Sequence, residues 1–361
     1  MKKFKGLLLL IMCVALLAGC GKENNKADTN DNPPQDMTVT PQPTVQPTTA
    51  SENTGKTTVQ TAANKIDINI AALKGPTSMG MVKIMKDAEE DTTANNYKFT
   101  IHGTPDEVST GLLKGEIDIA AIPCNLASVL YNKTEGKIKM AGINTLGVLY
   151  IVETGDNINK VEDLDGMTIY STGLGATPQY TLNYLLAAYG IDPEKDVDIE
   201  YKSEATEVAA LLSKSENAVA MLPQPYVTTV MMNNDKMRIA LNITDEWNAV
   251  STDGSSVVTG VVVARSEFLK NNKDAFDAFM KEYEASAVYT NDNVEDASVL
   301  VEKYGILKAA VAKKAIPNCS ITLIQGDDMK KKVGGYLSAL YNQNPKAVGG
   351  KLPTDDFYYI P

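Results

Sequence analysis

Residues 172 to 180 read "TGLGATPQY", which sets Gly173, Gly175, Ala176 and Thr177 just ahead of a proline and an apolar helical stretch. Glycine lets a backbone approach a bound molecule closely, Thr177 suits a helix N-cap, and Pro178 suits the first helical position. Such a loop can turn backbone N–H groups and a hydroxyl toward a ligand from a helix N-terminus. A plain strand-to-helix turn reads equally well from these residues, and the Lys-Ser/Thr of a phosphate-binding P-loop is absent.

The loop has a partner one hundred residues earlier. "EVSTGLLKGEIDIAAIP" at 107–123 lies over "EVAALLSKSENAVAMLP" at 207–223, with seven of seventeen positions identical, Glu107/Glu207, Lys114/Lys214 and Pro123/Pro223 among them. In the same register "KGPTS" at 74–78 lies over "LGATP" at 174–178, pairing Gly75 with Gly175 and Thr77 with Thr177. This is a weak internal duplication of one supersecondary unit.

Each unit alternates strand and helix patterns. The first reads "KIDINIAAL", "MGMVKIMKDAEE", "YKFTIHG", "PDEVSTGLLKGE", "IDIAAIP" and "NLASVLYNK". The second reads "MTIYSTG", "PQYTLNYLLAAYG", "VDIEYKS", "TEVAALLSKSE", "AVAMLPQP" and "YVTTVMMNN". Alternation of this kind predicts two Rossmann-like α/β lobes, each a parallel sheet covered by helices on both faces. Ligands of such sheets bind beyond the carboxyl ends of the strands. That places Lys74 to Met79, Pro123 to Asn125, Thr172 to Gln179, and Pro223 to Tyr226 around an interlobe cleft. "GVLYIVETGD" near 147–156 and "SSVVTGVVVARSE" near 255–267 read as two crossings of a hinge, which closes around ligands in many proteins. The helical segments after Arg265 are expected to pack back on the first lobe. The predicted division is 65–152 with 258–361 for the first lobe and 153–257 for the second.

Ahead of the lobes, "MKKFKGLLLLIMCVALLAGC" joins three lysines, an apolar run and a small-residue site, the pattern of a secretory signal over 1–19. Residues 20–64 hold hardly an aliphatic side chain and read as a disordered tether, with an end-to-end distance on the order of 35 to 40 Å. The formal charge of −11, made more acidic by loss of Lys2, Lys3 and Lys5, speaks against nucleic acid and against adhesion to anionic lipid by charge. Four cysteines and one histidine offer no metal-site spacing. Cys124 and Cys319 read equally as a disulfide or as two buried thiols.

These stretches together, with "ALKGPTSMGMVKIM", "DIAAIPCNLASVLYNK", "VEDLDGMTIYSTGLGATPQYTLNYLL" and "AVAMLPQPYVTT", resemble the extracytoplasmic solute-binding proteins of bacterial ABC importers. The branch most similar includes nitrate, sulfonate and taurine, and thiamine-pyrimidine-precursor binding proteins. "LAGC" resembles a lipobox, which implies cleavage before Cys20 and its lipidation. The resemblance implies a type II periplasmic-binding fold, extracytoplasmic attachment through lipid on Cys20 at the outer face of the cell membrane or in the periplasm, and delivery of a small molecule to a permease and its ATPase. Carried over, its ligand loops fall on Gly75, Pro76, Thr77 and Ser78; on Pro123, Cys124 and Asn125; on Thr172, Gly173, Gly175, Ala176 and Thr177; and on Pro223 and Gln224. No cofactor is implied, and a monomer is expected.

Two ligand classes stay open. A small oxyanion suits the helix N-termini and Lys74, but neither arginine, Arg238 or Arg265, falls in the four loops. An aromatic heterocycle suits stacking on Tyr170, Tyr180, Tyr226 or Trp247, with Asn125, Asn144 and Gln224 reading its polar edge. Glu204 and Glu207 read as a helix start. Catalysis is disfavoured: the lone His102 has no nucleophile elbow beside it, and the cysteine-rich motif of the related thiamine-pyrimidine synthases is missing. A ligand sensor working without an importer is the remaining alternative.

Overall fold

The computed structural model describes residues 65–360; the expected signal segment, Cys20 and the tether lie outside the described residues. The chain opens with β1 (Asp67–Leu73), the single-turn α1 (Pro76–Met79), α2 (Val82–Glu89), β2 (Asn96–His102), α3 (Pro105–Lys114), β3 (Ile119–Pro123), α4 (Cys124–Lys133) and β4 (Ile138–Leu146). It then crosses into β5 (Leu149–Thr154), β6 (Thr168–Thr172), α5 (Thr177–Ala188), β7 (Asp198–Lys202), α6 (Ala205–Leu212), β8 (Val219–Pro223), α7 (Tyr226–Asn233), β9 (Met237–Asn242) and α8 (Ile243–Val250). The return runs through β10 (Val258–Arg265), α9 (Ser266–Asn271), α10 (Lys273–Asp292), α11 (Val294–Lys303), α12 (Ala309–Ala315), β11 (Ile321–Ile324) and α13 (Gly326–Gln343).

Two sheets result, ordered β11-β4-β10-β3-β1-β2 and β7-β6-β8-β5-β9. The expectation of parallel sheets holds only for the trios β2-β1-β3 and β7-β6-β8. Both sheets are mixed, because the two crossing strands enter them backwards: β5 runs antiparallel between β8 and β9, and β10 runs antiparallel between β3 and β4. Each lobe therefore carries the strand that leads out of the other. The expected boundary at 152/153 falls inside β5, which lies wholly in the second sheet.

The strand pleat divides the core. Ala71, Ala120 and Ile122 face one side of the first sheet, while Ile70, Ala72, Ile119 and Ala121 face the side covered by α2, α10 and α11. In the second sheet Ile151, Ile169 and Met221 face α5 and α8, and Val152, Ala220 and Leu222 face α6 and α7.

Two expected elements differ. The helix expected over 79–90 breaks at Gly80 and Met81, where a side chain on Gly80 would come within 2.9 Å of Ile321 Cγ2 and 3.4 Å of the Tyr283 hydroxyl. Of the late helices, α10 packs on the first lobe as expected, burying Phe276, Phe279 and Tyr283. By contrast α13 touches both lobes: the Tyr336 and Thr181 hydroxyls meet at 3.1 Å, and Gln343 Nε2 donates to the Tyr180 carbonyl at 2.7 Å.

Candidate functional site

The antiparallel crossings fix where the loops gather. Val258 and Gly260, at the start of β10, pair with Leu146, Thr145 and Pro123, the carboxyl ends of β4 and β3. Leu149, at the start of β5, pairs with Pro223, the carboxyl end of β8. The carboxyl ends of β3 and β4 thus lie beside the start of β10, and that of β8 beside the start of β5, next to the two crossings.

In the first lobe the loop is built from its own polar groups. Gly75 has φ 121° and is buried, yet a Cβ placed on it would meet nothing within 4 Å; only glycine takes this backbone easily, and space lies in front of it. Pro76 opens α1. Thr77 Oγ1 donates to the Leu73 carbonyl at 3.2 Å, and Ser78 Oγ to the Gly75 carbonyl at 3.0 Å. Asn144 stands behind this turn: fully buried, its Nδ2 donates to the Thr77 carbonyl at 2.9 Å, while its Oδ1 has no partner among the described residues. It positions the loop. Lys74 is exposed, and its backbone N–H goes to the His102 carbonyl at 2.9 Å.

In the second lobe the opening turn is also closed by its own groups. The N-cap of α5 is Ala176, with no side-chain cap, so Thr177 and Pro178 occupy the first two helical positions rather than cap and first position. Thr172 ends β6, half-buried, and the Ala176 N–H donates to the Gly173 carbonyl at 3.0 Å. Gly175, at φ 73° with open space where a Cβ would stand, donates its N–H to Gln179 Oε1 at 2.7 Å and accepts the Tyr180 hydroxyl at 3.0 Å. A ligand taking the Gly175 N–H must displace the Gln179 side chain. Asn344 Nδ2 donates to that same Tyr180 hydroxyl at 2.7 Å, which ties this loop to the end of α13.

Other expected site residues are elsewhere. Pro123 is half-buried at the end of β3, but Cys124 is in the core, and Asn125 gives its Nδ2 to the Ala347 carbonyl at 3.2 Å. Trp247 is fully buried: it stacks on Tyr184 with ring centroids 3.9 Å apart, meets Tyr336 edge-on, and donates Nε1 to Ser255 Oγ at 3.1 Å. It welds α8, α5 and α13 together rather than presenting a face to a ligand. Pro223 is half-buried beside Gln224, which is 3% exposed and accepts from the Thr228 N–H and hydroxyl through Oε1. Glu204 is the N-cap of α6, and Glu207 accepts the Ser203 N–H at 3.2 Å, as a helix start requires.

Cys124 and Cys319 are free thiols, buried in two different clusters that lie on opposite sides of the first sheet. Burial raises both thiols, Cys124 well above the usual range and Cys319 up to about 12. Neither is expected to react with a thiol reagent at pH 8 in the folded chain within the time that denatured chain reacts completely; colour developing before unfolding would show these sites open.

Over residues 90–288 the sequence matches the family described as "ABC transporter, phosphonate, periplasmic substrate-binding protein". The chain belongs to that family. Among solved structures, an ABC transporter protein from Parabacteroides distasonis is 25% identical, with a TM-score of 0.68 over 81% of this chain and 98% of that one. The periplasmic aliphatic sulphonate binding protein SsuA from Escherichia coli is 14% identical, with a TM-score of 0.64 over 82% and 92%. The alkanesulfonate-binding protein SsuA from Xanthomonas axonopodis pv. citri, solved with MOPS, is 14% identical, with a TM-score of 0.56 over 81% and 96%. The last two likenesses show the fold alone. No curated protein matches the sequence. As a substrate-binding protein of an ABC importer the chain belongs to a transport family rather than an enzyme family, one whose members bind a small ligand outside the cytoplasm and partner a permease and its ATPase. Among the described residues no helix is long and apolar enough to cross a membrane.

Lys314 and Asn318, on α12 and the turn after it, share a crevice with Gln224 and Thr228 of the second lobe. They lie outside the duplicated units, so no register marks them.

Proposed function

We propose that this substrate-binding protein captures a small polar molecule between its lobes and hands it to the permease of an ABC importer as a lipid-anchored monomer. The supporting observation is the open approach at Gly75 and Gly175, one on each lobe, after strands whose neighbours β3 and β8 end beside the two crossings. In this reading the ligand lies against the 75–78 and 173–177 loops, the lobes turn about Gly147–Val148 and Ser256–Val257, and lipid on Cys20 holds the chain at the outer face of the membrane. Both arginines are committed elsewhere, Arg238 to Glu153 and Asp156 and Arg265 to Asp118 and Glu267, so neither clamps the ligand.

The test is native mass spectrometry of the chain purified without refolding, followed by release of anything bound. A stoichiometric small molecule is expected, and its mass separates an oxyanion from a heterocycle. Gly175→Val is expected to lose it, because a β-branched residue resists φ 73° and fills the open approach. Full retention by that variant removes the second-lobe loop from the site.

A further inference from the structure

The loops after β1 and β6 hold twin places in the sequence, yet they are fastened differently. In the first, Thr77, Ser78 and Met79 are buried, and Asn144 of the same sheet grips the Thr77 carbonyl from behind. In the second, Leu174, Gly175 and Ala176 are all exposed, Leu174 to 69%, so no buried apolar side chain anchors these three positions. Gly173 and Gly175 stand at φ 80° and 73°, and glycine loses more conformational freedom on ordering than any other residue. Hydrogen bonds have to hold this tip: the Gly175 N–H to Gln179, the Ala176 N–H to Gly173, and the Tyr180 hydroxyl to the Gly175 carbonyl at 3.0 Å.

The third of these bonds is controlled from the first lobe. Tyr180 is 8% exposed, and two consecutive residues at the end of α13 grip it, Gln343 Nε2 donating to its carbonyl and Asn344 Nδ2 to its hydroxyl, each at 2.7 Å. A phenol has one proton to donate, so accepting from Asn344 leaves that proton for Gly175, and each bond polarises the other. Asn344 is itself fixed. Its Oδ1 accepts the Lys346 N–H at 3.1 Å and caps the turn Pro345–Val348. Three side chains of α4 pin that turn: Asn125 Nδ2 donates to the Ala347 carbonyl at 3.2 Å, and Ser128 Oγ and Asn132 Nδ2 donate to the Val348 carbonyl at 2.8 and 2.9 Å. Their spacing puts them on one face of the helix, which packs on β3, β4 and β10. An unbroken path therefore runs from the first sheet through α4 and Asn344 to the Gly175 carbonyl.

We infer that Tyr180 and Asn344 are positioning residues, through which the first lobe sets the conformation of the second lobe's 173–177 loop, whereas the 75–78 loop is set within its own lobe. The relay is a link between the lobes separate from the two crossings, and it ends on a loop instead of a sheet. When a ligand group displaces Gln179 from the Gly175 N–H, the tip loses one of its own bonds and depends more on Tyr180. The inference rests on the proposed function only in taking 173–177 for a ligand loop.

The experiment needs no ligand. Residue-resolved amide hydrogen exchange is measured on the full chain for the wild type, Tyr180→Phe, Asn344→Asp and the double variant. Asn344→Asp keeps an oxygen to cap Lys346 but removes the donor to Tyr180, and its carboxylate draws the phenol proton away from Gly175. The Gly175 and Ala176 amides are expected to exchange at least fivefold faster in each single variant, with no further gain in the double. The Ser78 and Met81 amides, bonded within the first loop to the Gly75 and Ser78 carbonyls, are expected to keep their wild-type rates. Unchanged rates at Gly175 and Ala176 in Asn344→Asp overturn the relay, as does a doubled effect in the double variant or equal acceleration at Ser78 and Met81, the mark of general loosening. An empty chain in native mass spectrometry counts against the proposed function and leaves these exchange rates as they are, so the two readings fail separately.

Discussion

Gly147→Val is expected to destabilise the chain by about 3 kcal/mol, the upper end of ordinary overpacking, and to lower its thermal midpoint by roughly 5 to 10 °C. Gly147 links β4 to β5 at the first crossing, and a Cβ there would lie 1.9 Å from Thr244 Oγ1 and 3.0 Å from Val257 Cβ and Cγ1. Thr244 begins α8 and is held by its N–H bond to Asn242 Oδ1 at 3.0 Å, while Val257 lies on the second crossing. Three separate segments therefore meet at the missing side chain. Thr244 Oγ1 has no hydrogen-bond partner among the described residues, so Thr244→Ala costs little by itself. It is expected to recover a measurable part of the loss in the double variant. Circular dichroism melts of the single and double variants decide the matter: equal midpoints for Gly147→Val and wild type would show that the crossings are loosely packed.

Arg238→Met is expected to cost about 2 to 3 kcal/mol, below the range for a fully buried ion pair because the Arg238 side chain is 34% exposed. Glu153 on β5 has a side chain only 1% exposed. It accepts the Asn157 and Ile158 N–H groups at 3.1 Å each, and its third partner is the Arg238 guanidinium. Arg238 also donates to the Ile158 carbonyl at 2.7 Å and to the Gly155 carbonyl at 3.3 Å, so one side chain closes the whole turn after the crossing strand. Without it a buried carboxylate keeps two amide donors and loses its counter-charge. Urea unfolding gives the cost. Glu153→Gln on the Arg238→Met background removes the buried charge but turns an amide NH2 toward one of the two backbone N–H donors, so only partial recovery is expected. A cost below about 1 kcal/mol, typical of surface pairs, would show that water reaches Glu153.

Much of the fold was legible in the chain. The period-two and helical patterns located the β–α alternation, and the hundred-residue offset matched elements that hold equivalent places: α3 and α6, β3 and β8, and the turns after β1 and β6. These are local signals, written within a few residues by side-chain periodicity and turn chemistry. Even the glycines at 75 and 175 could be picked out, because a positive φ leaves its mark on residue type.

Pairing direction was not legible in the same way. β5 and β10 look like any apolar strand, and their antiparallel entry into the other lobe's sheet depends on where the chain stands when it crosses. Side-chain roles failed for the same reason. Asn125 is spent on Ala347, 222 positions away, and Trp247 is sealed by Tyr184 and Tyr336 from two other helices. Asn144 gives its Nδ2 to the Thr77 carbonyl from behind the loop, 67 positions away. The sequence by itself determined the alternating elements, the twin loops and the family they mark. Tertiary structure alone decided which side chains those loops leave uncommitted, since a polar group's availability is set by the partners that distant segments bring to it.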